Sequence, residues 1–230
     1  MITLSVKKLS HHLIWIFGLL EMITVTLVAW LPQISSLHTK SPWQGAVVGF
    51  LGIVILFLIL NLMIPKLKIN IDSQPVTEIS ILPAALWNML LLALIFGIQK
   101  IVGLILIDSW ILRYVTAGFI SVTGAVLITL FVYNIISKYI VPLRISIKTK
   151  EHCYSAKKIS VIIIALLGGG YEAIALPLIL IWQKAESNIP LIAAFTGLAG
   201  GVIGCSIIVY LYNHLNIPHL FLIFDKSKTK

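Results

Sequence analysis

Residues 43–65 read WQGAVVGFLGIVILFLILNLMIP, an uninterrupted run with no ionisable side chain. A helix rises about 1.5 Å per residue, so a run of this length spans the roughly 30 Å of a bilayer's hydrocarbon core. The same reading extends to five more runs, at about 12–33, 82–107, 114–141, 159–182 and 189–213. With 59% hydrophobic residues in 230, the chain lacks the polar surface needed to hide six such segments in water. Helices are favoured over a membrane barrel because the runs are continuous, whereas barrel strands alternate every second residue over about ten. The chain is therefore expected to be all-α: a polytopic membrane helix bundle of six transmembrane helices, one domain over residues 1–230. Its longest connections, about 66–81 and 142–158, leave no room for an independent soluble domain.

Charge sets the expected orientation. Lys7, Lys8, Lys66, Lys68, Lys138, Arg144, Lys148, Lys150, Lys157, Lys158, Lys226, Lys228 and Lys230 fall on one side, thirteen in all, against Lys40, Arg113 and Lys184 on the other. By the positive-inside rule both termini should be cytoplasmic, in what is expected to be a bacterial inner membrane. These cations flank membrane segments and form no compact basic domain, so the expected partner is the lipid bilayer, anionic lipids included, and not nucleic acid. Lys7 and Lys8 before an apolar run imitate a signal peptide, but Glu21 interrupts that run and no small-x-small cleavage site follows. The first helix is expected to be retained.

The segments Ile64-Pro65-Lys66, Val141-Pro142-Leu143 and Ile217-Pro218-His219 share an apolar-Pro step at the same side of successive helix pairs, a candidate repeat of helical hairpins. Proline stops a helix by removing a donor and clashing with the preceding turn. Beyond it, Leu67, Ile69 and Ile71 alternate with Lys66, Lys68 and Asn70, which suits an extended segment at the interface. At the opposite side, Leu31-Pro32-Gln33-Ile34 corresponds to Leu176-Pro177-Leu178-Ile179.

The stretch from Leu31-Pro32-Gln33-Ile34 through Lys40-Ser41 resembles the PQ-loop transporters, in which a Pro-Gln pair in a bundle helix is a hinge for substrate movement. The resemblance covers about eleven residues and implies a hinge at Pro32. Pro177-Leu178 stands where a second Pro-Gln would fall, and six spans replace the family's usual seven.

Two carboxylates lie deep in the apolar runs. Glu21 is in the first and Glu172 in the fifth, the latter placed about one turn deeper by the expected span starts. An ionised residue at the bilayer centre costs about 2.5 to 3.5 kcal/mol on insertion scales, so such groups usually face a bundle interior or an aqueous cavity. Gly168, Gly169 and Gly170 precede Glu172, and Pro177 follows it. Two readings stay open: a broken helix at a midplane site, or close helix packing through small residues, with the glycines of the sixth run as a natural partner surface. Gly197, Gly200, Gly201 and Gly204 share one helical face in that run. The tryptophans fall mostly near span ends, as an aromatic belt would. Cys153 and Cys205 are expected at different depths, and the six histidines lack i,i+4 spacing, so no metal, cofactor or disulfide is implied. No catalytic signature is present.

The leading expectation is a transport or permeation protein with Glu21, Glu172 and Gly168 to Gly170 forming a substrate or ion site, and Pro32 and Pro177 as hinges. The alternative is a non-catalytic membrane subunit packing against other subunits or against copies of itself.

Overall fold

The computed structural model describes residues 1–30, 41–67, 69–102, 109–183 and 190–229. Six helices meet the length and composition needed to cross a membrane: α1 (His12–Trp30), α2 (Pro42–Leu67), α3 (Ile81–Val102), α4 (Trp110–Tyr139), α5 (Ile162–Gln183) and α6 (Pro190–His214). Each packs on its neighbour in chain order and α6 packs on α1, so the helices close into a ring. The tightest pairs are α1/α6, α2/α3 and α4/α5.

The all-α expectation is corrected. The connections at one end of the ring form β1 (Ile2–Val6), β2 (Asn70–Ile71), β3 (Gln74–Ile79), β4 (Ser146–Thr149), β5 (His152–Ile159) and β6 (Leu220–Lys228). These pair antiparallel in a single sheet, a half-barrel ordered β1-β6-β5-β4-β3-β2. The register places Leu4 opposite Leu222, Ile147 opposite Tyr154 and Ala156 opposite Phe224. One sheet face buries Tyr154, Ala156 and Phe224 against Tyr133 of α4, with Trp87 of α3 packed alongside. Of the alternating residues beyond Pro65, Asn70 and Ile71 form β2, which pairs within the same connection with Pro75 and Gln74 of β3. Helix α2 also runs past Pro65 to Leu67.

Asparagine side chains near the ends of the even helices hold this sheet to the ring. Asn61 of α2 accepts from the Ile79 amide at 3.0 Å and donates to the Ile79 carbonyl at 3.1 Å. Asn134 of α4 does the same with both backbone groups of Ile159, at 2.9 Å each. Asn213 of α6 repeats it with Leu9, at 2.7 and 3.2 Å. Each clasped residue lies just before an odd helix, where the chain must pass from strand to helix without leaving amides unpaired.

The preceding residue extends the pattern. The Tyr133 hydroxyl donates to the Ala156 carbonyl and accepts from Ile145 N–H at 3.3 Å. The Tyr212 hydroxyl donates to the Val6 carbonyl at 2.7 Å and accepts from Leu220 N–H at 3.1 Å. The residue after the clasp is a serine each time. Ser80 exchanges hydrogen bonds with Ser146, and Ser160 with Phe221. Ser10 caps His12 instead, and β1 and β2 remain the two edges of the sheet. The repeat is thus marked by asparagine, with Leu60 in place of tyrosine in the first unit. Proline lies at varying offsets: Pro65 four residues after Asn61, Pro142 eight after Asn134.

Charged groups that the sequence assigns to orientation also hold the sheet together. Arg144 is buried, donating from Nε to the Ser137 carbonyl and pairing with Asp225 at 2.5 Å. Lys148 pairs with Glu78 at 2.8 Å between β4 and β3. Trp87, expected as an interfacial anchor, instead points inward, donating to the Leu143 carbonyl at 2.8 Å and meeting Tyr133 edge-on. Trp15, Trp30 and Trp43 are exposed, as a belt requires.

Replacing Asn134 by Ala removes both bonds and leaves two backbone groups of Ile159 without their partner. Stability is expected to fall by about 1 to 3 kcal/mol, measured by thermal unfolding in detergent; a loss under about 0.5 kcal/mol would show that the clasp does not hold the sheet.

The Asp72 carboxylate accepts from the Tyr154 hydroxyl at 3.0 Å and from Lys226 at 3.3 Å, and these contacts hold its pKa below the ordinary carboxylate value. Its folded pKa is the lower one, so its contribution is present above the unfolded value of about 3.9 and is lost as pH falls through the folded value. Amide exchange in the β2–β3 hairpin should therefore accelerate only below about pH 4, and Asp72→Asn should abolish that acid step.

Candidate functional site

Within the ring lies a partly open cavity of about 850 Å³, lined among the described residues by α1, α3, α4, α5 and α6 and by none from α2. It extends from Leu9 and Leu220 at the sheet end towards Ala29, Gln99 and Tyr114 at the other. Most of the lining is Leu, Ile, Val and Phe. A long apolar space is what remains when the helices touch their ring neighbours closely and keep their bulkier side chains for the interior.

Glu21 and Glu172 both line this cavity. The expected offset, with Glu172 the deeper by one turn, is reversed: along α6, Glu21 abuts Gly197 and Gly201, whereas Tyr171 beside Glu172 abuts Gly204, nearer the sheet end. Helix α5 begins at Ile162, so Glu172 lies ten residues into it and Glu21 nine into α1. Between them stands a residue that the sequence reading passed over. Tyr171 lines the cavity, its ring 5.4 Å from that of Phe17. Its hydroxyl is buried, without a hydrogen bond of ordinary geometry, beside the Glu21 carboxyl and within electrostatic reach of Glu172. A phenol in mid-span is itself a polar group requiring company, and that signal was legible in Gly170-Tyr171-Glu172. Thr129 of α4, also buried with no hydrogen bond to its hydroxyl, lines the cavity as well.

The glycine triplet does not interrupt the helix. Helix α5 runs unbroken from Ile162 to Gln183, through Gly168, Gly169, Gly170 and the buried Pro177. The three glycines meet different neighbours. A Cβ on Gly169 would collide with Thr123 Oγ1 and lie 2.9 Å from the Phe119 carbonyl oxygen, while one on Gly168 would meet Val122 of α4 at 3.3 Å. Across the same interface, a Cβ on Gly118 would lie 2.9 Å from the Glu172 carbonyl oxygen. Helix α4 is thus the main partner of the triplet, in place of the glycines of α6. Only Gly170 faces α6, where its added Cβ would meet Ile208 at 3.1 Å.

The α6 glycines divide between two neighbours. Gly197 and Gly201 abut Glu21, Met22 and Gly18 of α1, whereas Gly200 and Gly204 abut Tyr171, Ala175 and Ile179 of α5. Helix α6 is therefore wedged between the helices that carry the two carboxylates, and its missing side chains let both approach. Pro32 and Gln33, the hinge residues implied by the PQ-loop resemblance, lie outside the described residues.

Cys205 is buried and lines the cavity, Cys153 is half-buried in β5, and both are free thiols. Among the described residues no cluster of three His, Cys, Asp or Glu side chains could hold a metal ion. No family model, curated protein or solved structure matches the chain.

Gly169→Ala forces a methyl into the Thr123 hydroxyl and the Phe119 backbone, so it should destabilise the protein by about 1 to 3 kcal/mol. Gly168→Ala, whose methyl needs a shift of only a few tenths of an ångström from Val122, should cost visibly less. Equal melting temperatures for the two variants would remove the α4–α5 crossing as the reason for the triplet.

Proposed function

We propose that this multi-pass membrane protein is a transporter or permeation pathway whose solute occupies the ring cavity near mid-membrane, with the sheet end in the cytoplasm. The observation that carries this reading is the cavity itself, with two carboxylates and a buried phenol set into an otherwise apolar wall. A space of about 850 Å³ is far larger than the voids of a well-packed interior, which are rarely larger than a water molecule. A space of that size in a folded chain is kept for an occupant. Intramembrane carboxylates are expensive, and facing such a space is their usual setting.

The orientation rests on the Lys and Arg bias, and the same cations give the sheet end an affinity for anionic headgroups. The reading as a subunit of a larger membrane complex draws support from the unpaired edges β1 and β2, which could accept a strand from another chain.

Cys205 is a native reporter inside the cavity. In a Cys153→Ser background, a membrane-impermeant, trimethylammonium-bearing thiosulfonate should modify Cys205 when added to either face of oriented vesicles, as an alternating pathway requires. Modification from neither face would overturn transport and favour the subunit reading.

A further inference from the structure

We infer that the cavity selects monovalent organic cations with a bulky apolar body; this deepens the transport reading and rests on the same site. The wall carries two carboxyl groups, from α1 and α5, and among its described residues there is no Lys, Arg or His. This is the reverse of the chain as a whole, whose formal net charge is +9. None of the cationic side chains of the described residues lines the space, and the ionisable groups of low ordinary pKa among its described lining residues are acidic.

Two buried hydroxyls, those of Tyr171 and Thr129, line the same space without ordinary hydrogen bonds and supply further oxygen atoms to a bound group. The rings of Phe17, Phe96, Tyr114 and Tyr171 add aromatic surface, whose negative faces attract cations. In a medium of low dielectric, a carboxylate discriminates strongly between a cation and an anion of equal shape. The oxygen-bearing groups are set in a lining that is mostly Leu, Ile, Val and Phe, which suits an apolar body more than a bare inorganic ion with its full shell of oxygen ligands. The volume of about 850 Å³ falls in the range of sites for drug-sized organic molecules.

Tetraphenylphosphonium and tetraphenylborate test this directly, because they share shape and apolar area but have opposite charge. Titration calorimetry on the purified protein in nanodiscs should show the phosphonium binding at least about tenfold more tightly than the borate. Glu21→Gln and Glu172→Gln, each near-isosteric, should each weaken phosphonium binding by about tenfold or more while leaving the elution profile of the protein unchanged. The comparison of the two ions needs no variant and stands even if one variant fails to fold. Equal affinity for both ions, binding of neither, or phosphonium binding unaffected by both substitutions would overturn the cation site. Cys205 reached from both faces with no charge preference would overturn this inference while leaving transport standing. Charge-selective binding with Cys205 reached from neither face would support the cation site and remove transport.

Discussion

The structure depends on the asparagine clasp. A chain that leaves a helix at a membrane boundary and turns back into the next helix carries backbone amides that neither helix can satisfy, and the apolar surroundings make each unpaired group costly. One carboxamide supplies a donor and an acceptor together. Asn61, Asn134 and Asn213 each spend both on a single residue just ahead of the next odd helix. That contact fixes where each strand ends and where each odd helix begins. It therefore selects which helices become close partners: α2 with α3, α4 with α5, and α6 with α1.

The same three pairs carry the glycine contacts closest to a neighbouring helix backbone. Gly45 and Gly49 press on the backbone of α3, where Asn88 also donates to the Gly49 carbonyl at 2.8 Å. Gly118 and Gly169 bring α4 to α5, and Gly197 and Gly201 bring α6 to α1. In membranes helices gain nothing from burying apolar groups away from lipid, so backbone proximity and dispersion must drive their association. Glycine here tightens the ring tangentially. The ring interior is left to side chains that do not meet across it, and the cavity follows from this division.

The helices were legible in the sequence because each is a local property, set by the length and apolarity of one continuous run. The sheet was not, because its strands are two to nine residues long and pair across as many as 222 positions, Ile2 with Phe224. Alternation after Pro65 was visible, but nothing local said that β3 would pair with β4 or that β1 would find β6. Glu21 and Glu172 could be placed at depth from cost alone, whereas their sharing one cavity depended on α6 being thin enough to let α1 and α5 approach. The glycine triplet was ambiguous for a physical reason: a broken helix and a close crossing both need absent side chains, and only the course of the backbone separates them. The asparagines were the missed signal, since Leu60-Asn61, Tyr133-Asn134 and Tyr212-Asn213 each put an amide near the same end of an even helix.

The three units are not equally reinforced, and what is missing falls together at the α1–α2 seam. The units of Asn134 and Asn213 add a tyrosine that bonds backbone on both sides, and those of Asn61 and Asn134 add a serine that exchanges hydrogen bonds with the following connection. Around α1 and α2 these reinforcements are lacking: Leu60 replaces the tyrosine, Ser10 caps its own helix, β2 is only two residues long, and β1 and β2 do not pair. The α1/α2 contact is also the slightest between ring neighbours. Chain continuity does not explain this, because β6 and β1, at opposite ends of the chain, pair over five positions. Separating α1 from α2 therefore breaks fewer interactions than opening the ring anywhere else, and α1 is a helix that bears one of the two carboxylates. A movement that widens this seam would shift Glu21 while the α4–α5 crossing holds Glu172 in place, so the least costly opening of the ring is also one that changes the spacing of its two carboxyl groups.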